Sequence, residues 1–229
     1  MTKTTVRLAC LVGLSLLALI GCKKSQSGIH FTNPTAITNL YLPLASLNVD
    51  TLEGIEGEDT ILVVRLIRTD TSRTFTVGGK SVATLAMEDR EYVNGELEEV
   101  TLDYFGQADD STVHYFGEDV DEYDEGQVVG HSGAWLYGVQ TTVLGVIMPG
   151  HPTFGQTFYL ESVPGITIER DSVVSLSDTV TVPAGTFTGC LMIAENIGGG
   201  VIEYKYYAPN VGVVKEVTPD GELNLKSHR

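Results

Sequence analysis

The chain has 229 residues, of which 30 are acidic and 14 basic, a formal net charge of −16, and three cysteines, Cys10, Cys22 and Cys190. So acidic a surface repels polyanions, which excludes nucleic acid and anionic lipid headgroups as partners and leaves cations welcome. The apolar run at residues 8–20 would rise only about 20 Å as a helix, short of the roughly 30 Å hydrocarbon core, so a permanent transmembrane helix is disfavoured.

That run follows a basic start, Lys3 and Arg7, and leads directly into Gly21 and Cys22. This is the pattern of a secretory signal peptide. Leu19-Ile20-Gly21-Cys22 resembles the lipobox of bacterial lipoproteins. The resemblance implies cleavage before Cys22, a diacylglycerol on its thiol and a fatty acyl chain such as palmitate on the freed amine. Two or more such chains anchor stably where one is marginal. Lys23 follows rather than Asp, which in lipoproteins of Gram-negative cells looks like the outer-membrane choice. The expected organisation is a signal peptide over 1–21, a lipidated flexible tether over 22–30 rich in Lys, Ser, Gln and Gly, and a single β-rich domain over 31–229. Losing residues 1–21 removes two bases and no acid, so the mature charge is −18, from 12 basic and 30 acidic residues. With Cys10 cleaved away and Cys22 acylated, Cys190 stands alone, so no disulfide and no disulfide-linked partner is expected. Its apolar surroundings read it as a small buried hydrophobe.

Residues 29–59 predict an extended lead-in, because Pro43 breaks the helical spacing of Ile37, Leu40, Tyr41 and Leu44; Tyr41, Leu42 and Leu44 should plug one end of the core. Gly54, Gly57 and nearby acids mark a loop. Strands are predicted over 60–68, 74–77 and 81–88, and Asn94-Gly95 is a strong hairpin signal into a strand over 96–107. Further strands follow over 112–119, 131–139, 142–148, 155–163, 166–182, 186–196, 201–207 and 211–217, with a last short strand after Gly221. With no convincing helix between them, these predict an all-β fold: an antiparallel meander forming a curved sheet, sandwich or barrel.

Six motifs in order, Asn94-Gly-Glu-Leu, Tyr115-Phe-Gly-Glu-Asp, Gly133-Ala-Trp, Met148-Pro-Gly, Val182-Pro-Ala-Gly-Thr-Phe and Tyr206-Tyr-Ala-Pro-Asn-Val-Gly-Val-Val-Lys-Glu, resemble a broad set of exported bacterial proteins without assigned activity. The chain departs from that pattern at Asn48 and Val49, where a Trp is usual, and at Asn210, where Gly is common. The resemblance implies one β domain and no catalytic residues; physically, the motifs are turn glycines and core aromatics.

Two constellations carry candidate chemistry. In the acidic stretch 118–126, Asp119, Asp121 and Asp124 could bind Ca²⁺ weakly, although the EF-hand spacing fails. Gly130-His131-Ser132-Gly133-Ala134 lies one residue from a Gly-x-Ser-x-Gly nucleophile elbow, but strand follows Ser132 where the elbow needs a helix, and His228 sits in a tail expected to fray. Neither scattered histidines nor Gly198-Gly199-Gly200 suggests a transition metal or phosphate site. The sequence therefore points away from an enzyme and towards a membrane-anchored envelope module without a resident cofactor. Its expected partner is either an apolar ligand or a protein or glycan, with the Ca²⁺ module and a Ser132 hydrolase as alternatives.

Overall fold

A computed structural model describes residues 28–229. The expected signal peptide, Cys22 and most of the expected tether lie outside the described residues. The described chain is all-β, as the strand periodicity predicts. Its strands are β1 (Val49–Glu56), β2 (Asp59–Arg68), β3 (Thr74–Val77), β4 (Lys80–Ala83), β5 (Leu85–Val93), β6 (Glu96–Gln107), β7 (Val113–Asp124) and β8 (Gln127–Gly130). They continue with β9 (Trp135–Leu136), β10 (Gly145–Met148), β11 (Thr157–Val163), β12 (Thr167–Val182), β13 (Gly185–Asn196), β14 (Ile202–Ala208), β15 (Gly212–Val217) and β16 (Gly221–His228).

Fourteen of them make one antiparallel sheet in the order β10-β7-β6-β5-β2-β1-β16-β15-β14-β13-β12-β11, with β8 and β9 also paired to β7. Most neighbours are joined by short turns, so local chemistry sets the register. At the β5–β6 hairpin, Asn94 (φ 53°) and Gly95 (φ 85°) both take positive φ, as the tight turn that matches strand twist requires. The sheet is open, since its end strands β10 and β11 share no ladder. Its curl nevertheless brings the ends together: a Cβ on Gly145 would sit 2.2 Å from the Leu160 carbonyl oxygen. Side chains bridge this seam. Trp135 Nε1 donates to Glu161 Oε1 at 2.6 Å, and Thr141 Oγ1 donates to the Ser162 carbonyl at 2.9 Å.

Several expectations are corrected. The loop marked by Gly54 and Gly57 narrows to the turn at Gly57, while Gly54 lies inside β1 and serves close packing there, since a Cβ would lie 1.8 Å from the Glu222 carbonyl oxygen. The strand expected over 81–88 divides at Thr84, whose backbone N–H and hydroxyl both donate to the Arg73 carbonyl. This lets β3–β4 fold back as a separate hairpin over Tyr104 and Phe116. Only Trp135–Leu136 is strand within 131–139. His228 does not fray: it lies in β16, with Nδ1 2.6 Å from Asp50 Oδ1.

The lead-in caps the sheet as expected, with Tyr41, Leu42 and Leu44 buried in the main core cluster beside Phe105, Tyr115, Trp135 and Tyr207. Buried Asn39 holds it there. Its Nδ2 donates to the Ser111 and Pro149 carbonyls at 2.9 and 3.1 Å, and its Oδ1 accepts from the Tyr41 N–H at 2.9 Å. Such a fully engaged buried amide costs little to desolvate and fixes where the cap sits.

Candidate functional site

Strand alternation sends every second side chain towards the inside of the curl. On β6 the inward set includes Glu99, Thr101, Asp103 and Phe105; on β5 it includes Met87, Asp89 and Glu91. The interior is therefore polar over much of its length. Under the cap lies a hollow of about 260 Å³ whose apolar wall comes from Leu42, Leu44, Leu47, Phe105, Leu160 and Val213, and whose charged wall comes from Arg65, Asp103, Glu118, Glu161, Glu169 and Lys205. A second hollow of about 380 Å³ is lined chiefly by Glu56, Glu91, Glu99, Glu203 and Glu216. The two share Arg65, Asp89, Asp103 and Glu118 as lining.

The shared wall is organised by pairing. Arg65 lies 2.6 Å from Asp89 Oδ2 and 2.9 Å from Glu216 Oε1, so burial, which would lower its pKa, is outweighed by two carboxylates that raise it. Tyr115 Oη stands 2.6 Å from Asp103 Oδ1 and 2.9 Å from Glu118 Oε2. A phenol has one proton, so one of these contacts must be donated by a protonated carboxyl. Burial, then the neighbouring Asp103 and Glu161, push Glu118 up to about 9, whereas burial brings Asp103 to about 7. The Tyr115 hydroxyl thus faces both carboxyls, and the three groups share the protons that burial keeps on them. Glu161 is engaged on both oxygens, by Trp135 Nε1 and by Thr167 Oγ1 at 2.7 Å.

Beyond this wall the acids outnumber their partners. Glu91 is raised to about 7 by burial and then by Glu99, Asp89, Glu56 and Glu216. Glu99 and Glu203 are raised by the same principal cause, burial. On the far flank Glu169, Asp171 and Glu195 bring carboxylate oxygens within 4.8 Å of one another, and Lys205 Nζ lies 3.1 Å from Glu195 Oε2.

The residues singled out from sequence are dispersed. The acidic stretch continues strand β7 through Asp124 rather than forming a loop, so its carboxylates alternate between faces. Asp119 accepts from the Tyr104 hydroxyl at 2.7 Å and pairs with Arg73; Asp121 lies 3.0 Å from His131 Nδ1; Asp124 is exposed at the strand end. Ser132 Oγ donates to Glu122 Oε2 at 3.1 Å in an exposed turn. Cys190 is fully buried, and burial raises its thiol pKa. The inward acids escaped notice because each reads as an ordinary surface charge in one dimension. The available signal was inverted alternation: Ile168 and Ile202 point outwards, 52% and 38% exposed, while Asp171 and Glu195 are each 2% exposed.

No protein-family model matches the chain. Among solved structures, one similar in outline is that of a putative lipoprotein from Parabacteroides distasonis, at 10% sequence identity and a TM-score of 0.43, covering 83% of this chain and 99% of that one. A likeness of that degree leaves the reading of the site to the residues themselves.

Proposed function

We propose that the chain is a lipid-anchored envelope lipoprotein whose curved sheet binds, without chemical turnover, a small amphiphile with an apolar part and a cationic end. The anchor rests on Leu19-Ile20-Gly21-Cys22 and Lys23. The ligand class rests on one observation: an apolar hollow and an acid-rich hollow share the Arg65–Asp89–Asp103–Glu118 wall. A wholly apolar ligand would leave those buried acids facing hydrocarbon, at a cost of several kcal/mol if charged. An ammonium placed among Glu91, Glu99 and Glu203 would instead supply the counter-charge they lack, with its aliphatic part beneath the cap. Native mass spectrometry tests this: a co-purifying amine supports the reading, and a co-purifying fatty acid or neutral lipid refutes it. A protein partner is the second reading, favoured by the exposure of Tyr159 and Ile168 on the outer face.

A further inference from the structure

We propose that Glu169, Asp171 and Glu195 form a binding site for a divalent cation, with Ca²⁺ its best-fitting occupant. This goes beyond the amphiphile reading and stands without it. Glu169 and Asp171 lie two apart on β12, and Asp171 is the register partner of Glu195 on β13, so the sheet itself sets three carboxylates side by side. Their oxygens lie within 4.8 Å of one another. Three carboxylates are ligands for a hard cation, and Ca²⁺ accepts them in flexible geometry where Mg²⁺ demands a near-ideal octahedron.

The independent sign of a missing partner is Asp171 Oδ1. The residue is 2% exposed, yet neither this oxygen nor Glu169 Oε1 has a donor from outside the carboxyl cluster itself. Buried acceptors left unpaired cost free energy, so something positive belongs between them. The surroundings do not supply it. Lys205 is engaged with Glu195, Arg65 is held by Asp89 and Glu216, and Glu161 from β11 is occupied by Trp135 and Thr167. Three carboxylates against one ammonium leave two negative charges, which one divalent ion neutralises.

The test is calorimetry and thermal unfolding of the full chain in detergent, with and without millimolar CaCl₂. Site occupancy predicts a binding heat with one-to-one stoichiometry and a Tm higher by about 5 °C. Asp171→Asn and Glu169→Gln should each abolish both signals, while Asp121→Asn and Asp124→Asn keep them; if one site variant fails to fold, the other decides. Absence of both signals in the unmodified chain, or their survival in a site variant, overturns the proposal. Binding of an alkylammonium without any Ca²⁺ response would overturn it while leaving the amphiphile reading intact.

Discussion

Asp171 on β12 faces Glu195 on β13 directly across the ladder, two carboxyls each 2% exposed, with the Lys205 ammonium 3.1 Å from only the second. Like charges placed opposite one another destabilise a sheet. A fold that keeps such a pair inside, next to outward-facing isoleucines, has arranged its interior for something other than packing.

The first consequence is an unusual dependence of stability on pH. Burial holds Glu118 and Asp171 at about 9 and Asp103, Glu169 and Glu91 at about 7, all above the roughly 4 of an unfolded carboxyl. The native state therefore binds more protons than the unfolded chain between about pH 4 and about pH 9. Stability falls across that window, by about 1.4 kcal/mol per pH unit for each proton so retained. Urea unfolding without added divalent cation should give a lower midpoint at about pH 8.5 than at about pH 5.5, and Asp171→Asn or Glu118→Gln should flatten the difference. A midpoint that rises with pH would contradict the assignment.

Arg65 is the cation on which the shared wall depends. Arg65→Ala leaves Asp89 and Glu216 facing each other's charge in a buried setting, and breaking a buried pair in this way costs about 3–5 kcal/mol. Arg65→Lys keeps the charge but lacks the planar fork that reaches both carboxylates, so it should recover only part of the loss. Chemical denaturation of the two variants measures this.

Trp135 joins the two ends of the sheet through its bond to Glu161 and packs edge-on against Tyr115, with centroids 5.3 Å apart at 82°. Trp135→Phe keeps an aromatic side chain but removes the donor and leaves part of the indole volume empty, so a destabilisation of at least about 1–3 kcal/mol is expected, the orphaned carboxylate oxygen contributing to it. Trp135→Phe together with Glu161→Gln should cost less than the sum of the two single changes, which a double-mutant cycle reads directly.

Cys22→Ser should move the protein from the membrane pellet to the soluble fraction and remove the acyl mass from the chain. Recovery of Cys22→Ser protein in the pellet at undiminished yield would contradict lipid anchoring.

Much of the scaffold was legible in the sequence because hydrophobic alternation and turn residues obey local rules. The Asn94-Gly95 hairpin and the buried plug of Tyr41, Leu42 and Leu44 follow from spacing alone. What escaped was decided at a distance. Gly54 reads with Gly57 and the nearby acids as a loop, yet it sits inside β1 to let the Glu222 backbone approach. The stretch through Asp124 reads as a solvated loop because its charges hide the single buried Val120. The inward acids were hidden for the opposite reason: Ile168 and Ile202 suggest that the faces of β12 and β14 are reversed, and only the curvature of the whole sheet shows that their charged neighbours point inside.

The most direct test of the central claim is a calorimetric titration of the unmodified chain with octylammonium and, at matched ionic strength, with octanoate. The inward-facing acids predict one-to-one binding of octylammonium that weakens with added salt, and no heat from octanoate. Octanoate binding as well as or better than octylammonium would contradict a cation-seeking interior.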